Sequence, residues 1–565
     1  MNKFKFPFAS DLKNILLIGF LVGLVPMLYF FSLDYMSGNA SRFLYPRGDN
    51  QAYSTAQLLF ENSKFYTWPL FSTDRLIRDD LQSLVYSDFV PFMAIIIKVI
   101  NNIFNIHLNH LIIWTMVIFP LQAMSFAFLL ISLGIKDKYI IFVGSLFSIF
   151  IPSFLYRIGH LPLLGHFVIN LSLGFYFYER YFLNKLSFNK KLFIFWTFLI
   201  SITILINLYL ALMVILIYFA YLFDYSRREG FSFAFEKNNI KYFLLPIVII
   251  YPVLYISGYL LPYQRGYDFG FHSMNLLSPF YPALSGLFDN FKNMYDPTGG
   301  QYEGYNYLGA GILLLLIIDF KLIGLNSFKN VKFHYGLIIS LSILLLYSLS
   351  SKIYLGHHLL ITYDAPKFLG TFRSTGRFFW PITYLVLAVS FVIIYNNSKK
   401  IISYVLISML CIIQIFDCSH LAQGFYDSGH QVVSNEEYSH LNDFNTITKD
   451  YSGIYITPDF HCLSKDNNWL IGNLAFEFAR RGKTINTFYM ARMPADQNCN
   501  IEISRMLDKE RQLILPIAIV ESNSFPNVKN MSCIESSFNS TYICTLSSIS
   551  GKVLPELKKT IYSKK

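Results

Sequence analysis

Long apolar runs separated by short polar stretches set the rhythm of this chain. A helix needs about 20 apolar residues to cross the hydrocarbon core of a bilayer, fewer where the membrane is thin or the helix tilted. Runs at 14–31, 109–134, 139–155, 161–178, 192–206, 208–223, 242–261, 306–320, 333–349, 378–395 and 401–416 meet or approach that length, which predicts about eleven crossings. The stretch 89–102 (FVPFMAIIIKVINN) is also apolar, but it is short, opens on Pro91 and carries Lys98, so it reads as a helix lying in the interface. After residue 418 the pattern changes. "GIYITP" and "LILPIAIVES" read as buried strands, "NWLIGNLAFEFARRGKT" between them as a helix, and "STYICTLSS" as a third strand. The expected fold class is a polytopic α-helical membrane domain, residues 1–418, followed by a small soluble α/β domain, residues 419–565.

Composition supports a membrane protein. Of 565 residues 54% are hydrophobic and only 14% charged, more apolar surface than one soluble core can bury. The net charge of +11 does not point to nucleic acid, because Lys and Arg form no stripe. They fall instead in alternate loops. If Lys3, Lys5 and Lys13 are cytoplasmic, so are Lys136 and Lys138, Arg180 through Lys191, Arg227 through Lys241, Lys321 through Lys332, and Lys399 with Lys400, as the positive-inside rule requires. Counting 89–102 as a crossing would invert everything after it. This topology puts a long first loop (32–108), the later polar loops and the tail outside. The first run has no small-residue cleavage site after it and reads as a retained anchor. Cys462, Cys499, Cys533 and Cys544 all lie in the tail, which suggests two disulfides and an oxidising compartment. Cys462–Cys499 with Cys533–Cys544 is the simplest of three connectivities, and no zinc-ligand spacing competes.

Candidate chemistry gathers on the predicted outer face. Asp49 ("YPRGDNQ") and Asp88 ("YSDFVP") stand where polar loop meets apolar helix, places where a carboxylate can serve as a base or share a cation. Asp79 and its neighbours read as solvated loop acids. "RIGHLPLLGH" contributes Arg157, His160 and His166, and "ILINLYLAL" sets Asn207 and Tyr209 at a tight outer turn. "FGFHSMN" and "GGQYEGYNYLGAG" contribute His272, Gln301, Glu303 and Asn306 in an aromatic, amide-rich setting of the kind that meets sugar hydroxyls and C–H faces. An interfacial aromatic belt is the alternative for those residues. Arg373 and Arg377 in "FRSTGRFFWP" are four apart, hence on one face if helical; paired guanidiniums can hold a phosphate, and arginines snorkelling at the interface are the alternative. The tail carries no nucleophile motif, phosphate loop or metal cluster and reads as a lid or acceptor-docking module.

The order of these motifs, more than any one of them, resembles the GT-C superfamily of integral-membrane glycosyltransferases: an acid soon after the first span, a surface helix, many spans, and a soluble C-terminal domain on the same side. More narrowly, it is similar to a poorly characterised bacterial family of that superfamily. The resemblance covers most of residues 1–420. It implies a polyprenyl-phosphate-sugar donor such as one on undecaprenyl phosphate, transfer with inversion on the periplasmic face of the inner membrane, and a cell-envelope glycan or lipid acceptor of the lipopolysaccharide or O-antigen kind. It also implies that Asp49 is the base. "RGDN" offers one acid where some branches carry a DxD pair, so a divalent metal at Asp88 is left open, and no organic cofactor is implied. The residues fit that chemistry: one base for the acceptor hydroxyl, and Arg157, Arg373 and Arg377 for the leaving phosphate. An O-antigen polymerase or ligase using a diphosphate-linked donor is an alternative, as is a lipid-linked glycan transporter or flippase. The latter should show mid-membrane charges and internal repeats.

Overall fold

In a computed structural model the apolar runs become helices. The structure describes residues 9–44, 46–77, 83–182, 190–230, 240–263, 269–288, 290–291, 293–322, 334–433, 452–457, 460, 465–492, 512–516, 531–535 and 542–546. Among them, six helices are long and apolar enough to cross a membrane: Leu12–Phe30, His110–Ser132, Leu161–Tyr178, Leu208–Arg228, Thr375–Asn397 and Lys400–Asp417. The chain is thus built as a multi-pass membrane protein. The other expected crossings fall on shorter apolar helices. Leu192–Ile206, Val248–Ser257 and Tyr335–Leu349 are three of these, and Ala310–Leu322 is a fourth.

The expected span 139–155 is not one helix. Asp137 caps its start by accepting from the amides of Tyr139 and Ile140, and the helix Lys138–Phe147 then stops. Ile151 is extended ahead of Pro152, which opens the separate helix Pro152–Leu155. A residue before proline is pushed out of the helical region, and this breaks the run. Ten residues rise only about 15 Å, half the hydrocarbon thickness.

The chain divides into two compact units, and the division differs from a single cut at 418. One unit holds residues 1–32, 112–253 and 265–430; the other holds 33–111, 254–264 and 431–565. The helix Ser419–His430, expected in the tail domain, therefore belongs with the membrane helices. The first unit also carries a hairpin, β1 (Lys352–Leu355) with β2 (His358–Thr362), whose second strand is fully exposed.

In the second unit the expected α/β pattern is present. β3 (Gly453–Thr457), the helix Lys465–Arg480 and β4 (Thr484–Ile485) form a parallel βαβ element. β5 (Gln512–Pro516) runs parallel to β3 on its other side, while β6 (Met531–Glu535) and β7 (Tyr542–Leu546) pair antiparallel, giving the order β4-β3-β5-β7-β6. The first loop folds onto this sheet. Ile77 N–H donates to Ile485 O (2.7 Å) and Ile485 N–H to Arg75 O (2.9 Å), extending the β4 edge. The helix Asp49–Glu61 packs on Lys465–Arg480, where Gln51 Nε2 donates to Asn473 Oδ1 at 2.6 Å and Asn62 to Ala479 O at 3.2 Å. Lys98 departs from its expected interfacial role: it is buried, and its Nζ donates to Phe60 O (2.7 Å), Ser63 Oγ (2.8 Å) and Lys64 O (3.1 Å).

Candidate functional site

Within the first unit, the loops that the sequence singled out converge on Glu303. It sits in the short 3-10 helix Gln301–Gly304 and is buried. Arg157, just past Pro152–Leu155, donates from Nη1 to Glu303 Oε2 at 2.7 Å and from Nη2 to its backbone carbonyl at 2.8 Å. Arg377 Nη2 reaches the same Oε2 at 2.7 Å. His160 Nε2 lies 3.4 Å from Oε1 and is the most exposed member, at 22%. Aromatic rings back the guanidiniums: Arg157 stands over Tyr156 (4.9 Å) and Trp380 (5.5 Å), Arg377 over Tyr209 (4.8 Å). Tyr209 also accepts the Ser374 N–H at 3.0 Å, tying the turn at Asn207 to the Arg377 segment. Asn207 caps its helix by accepting from the Tyr209 amide.

Glycines permit this crossing of loops. A Cβ on Gly376 would lie 2.4 Å from the Gly304 Cα, and one on Gly304 would lie 2.4 Å from the Ser273 carbonyl. Backbones this close leave no room for a side chain.

The charges of the cluster are closely coupled. Two guanidiniums share one carboxylate oxygen, with His160 beside the other. Burial pushes the Glu303 carboxyl up, but Arg377 and then Arg157 outweigh it and hold it well below the usual carboxylate range. Glu303 is thus a fixed anion, unsuited to accepting a proton. His272 is pulled down from its ordinary value, chiefly by burial and further by Arg373, so its ring is neutral at pH 7; its Nδ1 lies 3.0 Å from Gly300 O.

The remaining expected residues are placed differently. Arg373 and Arg377 do not share a helical face: a 3-10 helix begins only at Thr375, leaving Arg373 exposed and Arg377 buried. The Gln301 and Asn306 amides are engaged within the protein. Gln301 Nε2 donates to Ser273 Oγ (2.9 Å) and its Oε1 accepts from Asn275 (3.1 Å), while Asn306 Nδ2 donates to Gly304 O (2.9 Å) and Gly376 O (2.8 Å). His166 is buried against Trp380, with ring centroids 4.1 Å apart, and its Nδ1 is 2.8 Å from the Tyr384 hydroxyl. Tyr384 and Trp380, missed by sequence reasoning, are the groups that hold it. The proline after Trp380 marked the helix start that places that ring, a signal present in the sequence.

In the second unit Asp49 opens a helix of its own. It is exposed, in the first turn of Asp49–Glu61 and behind Gly48 at φ 58°, where the helix dipole favours its charge. Asp88 is half-buried in the left-handed region at φ 55°, after the 3-10 helix Leu84–Ser87. Among the described residues no three His, Cys, Asp or Glu side chains gather into a metal-ion site. Cys411 and Cys418 are buried free thiols. Cys462 and Cys499, like Asp79, Lys185, Lys237, Lys329 and Lys332, lie outside the described residues.

Taken with its helices, this arrangement defines a multi-pass membrane protein with a buried guanidinium–carboxylate cluster joining its loops. Residues 20–419 match the family described as Domain of unknown function (DUF6311), and residues 443–511 match the DUF6311 C-terminal domain. The chain belongs to this family. No curated protein matches it.

Proposed function

We propose that this protein is a GT-C-type membrane glycosyltransferase that moves a sugar from a polyprenyl-phosphate-linked donor to a cell-envelope glycan or lipid, with inversion, on the periplasmic side of the inner membrane. The supporting observation is the Arg157–Glu303–Arg377 cluster with His160 at its accessible edge. Rigid guanidinium forks suit phosphate oxygens, and the aromatic rings behind both arginines hold them in place. The leaving group of the proposed reaction is such a phosphate.

In the proposed step the acceptor oxygen bonds to the anomeric carbon as its proton passes to the Asp49 carboxylate. The bond from that carbon to the donor phosphate oxygen breaks, and the phosphate leaves with the electron pair. Its growing charge is met by Arg157 and Arg377, with exposed Arg373 available to the incoming headgroup. A phosphate needs no general acid to leave, so one base suffices, and a single displacement inverts the anomeric centre. Asp49 takes its role from its place in the motif order, and Asp88 keeps that of a candidate metal ligand. The multi-pass topology with the tail outside belongs to the same reading and rests on the basic loops.

A donor assay tests the proposal. The purified full-length chain should consume a monophosphate-linked sugar and release polyprenyl phosphate. Consumption of only a diphosphate-linked glycan would make it a polymerase or ligase, and movement of lipid with no bond made would make it a transporter.

A further inference from the structure

The helix Pro91–Phe104 is built inside out. Its inward face carries Pro91, Met93, Ala94, Ile97 and Lys98, all buried, so its one charged side chain points into the protein. The opposite face repeats Phe92, Ile96, Val99 and Ile103 at helical spacing, with Ile103 and the adjoining Phe104 each 68% exposed. A soluble helix reverses this order. Interfacial lysines extend toward water, yet Lys98 spends its ammonium group on carbonyls at the end of the helix Asp49–Glu61 and on Lys64. Those bonds fasten the helix to the segment that follows, Lys64–Trp68, in which Phe65, Tyr66 and Trp68 are exposed at 43%, 86% and 54%.

One part is tethered to a helix long and apolar enough to cross a membrane, the other packs on a shorter apolar helix. Residues 105–109 alone separate Phe104 from the span His110–Ser132, a link reaching at most about 18 Å. The Trp68 ring packs edge-on against Tyr255, centroids 5.6 Å apart, in the last turn of the apolar helix Ile240–Ser257. Tyr and Trp at the ends of membrane helices sit at headgroup level.

We infer that this unit docks on the bilayer surface through a two-part anchor: the outward apolar face of Pro91–Phe104 in the acyl boundary, and the Phe65–Trp68 loop among the headgroups, with Lys98 clamping one to the other. The inference does not depend on the chemistry proposed above. Of five tryptophans, Trp114, Trp196 and Trp380 are fully buried, so Trp68 can be read by difference.

The full-length chain is reconstituted into vesicles of phosphatidylcholine brominated near the top of the acyl chain. Wild-type emission should be quenched more than that of Trp68→Phe, and adding Ile103→Trp to the Trp68→Phe protein should restore a lipid-quenched component. Both substitutions are at exposed positions, so the fold survives them. Quenching of either reporter by aqueous acrylamide but not by the lipid would place it in water, and quenching by neither would place it under protein. Either result overturns the anchor.

Discussion

Glu303 holds the candidate site together at the scale of single residues. Glu303→Gln keeps the side-chain shape but leaves Arg157 and Arg377 buried without their anion, which should cost about 3–5 kcal/mol in unfolding experiments. The same substitution tests a pH effect. Because the folded carboxyl titrates below its ordinary value of 4.5, it adds stability that is fully present above that value and is lost as pH falls toward the folded one. Acid unfolding of the wild type should therefore steepen below about pH 4.5, and the Glu303→Gln protein should lack that component. Arg377→Lys keeps a charge without the fork. Donor affinity should fall by about tenfold or more, and unchanged affinity would mean the arginines serve only to join the loops. The sequence already marked Arg157, His160, Glu303 and Arg377 as unusual residues. Their partnership was not legible, because it links positions 146 and 74 residues apart, and no local period encodes such a contact.

At the scale of elements, apolar patterning found the six membrane-compatible helices among the described residues, and it failed where pattern and backbone geometry disagree. The run 139–155 stays apolar through its break, so periodicity could not register it; Pro152 in "IPSF" was the available signal. The role of the tail was hidden for a different reason. Lys465–Arg480 has helical spacing, but its partner is the helix carrying Asp49, some four hundred residues earlier, and contact is made through Gln51 and Asn473. The tail thus braces that helix. A Cβ on Gly472 would lie against the Gln51 amide, so Gly472→Ala should lower the melting temperature of this unit and weaken transfer together. Gly376→Ala acts elsewhere, forcing apart the Gly304 and Gly376 backbones. It should reduce donor binding and turnover while the helical circular dichroism of the membrane domain stays intact.

For the whole molecule, composition alone established membrane residence, and the basic loops gave an orientation that labelling can check. A cysteine placed at Lys136, next to the Asp137 cap, should react only with reagents that enter the cytoplasm. The tail should be oxidised. Cys533 and Cys544 are direct register partners on antiparallel β6 and β7, and such partners stand about 4.5–5.5 Å apart at Cα, within disulfide range. Peptide mapping without reductant should recover them as a pair, and free thiols there would count against an extracytoplasmic tail. The central claim is glycosyl transfer with Asp49 as base, and it is tested most directly by the rate at which donor-loaded Asp49→Asn protein moves sugar to acceptor and releases polyprenyl phosphate. That variant keeps the hydrogen-bonding shape but cannot take the proton, so release should be slower than wild type by about 10² to 10⁴ with donor binding retained. Release at the wild-type rate would contradict the account.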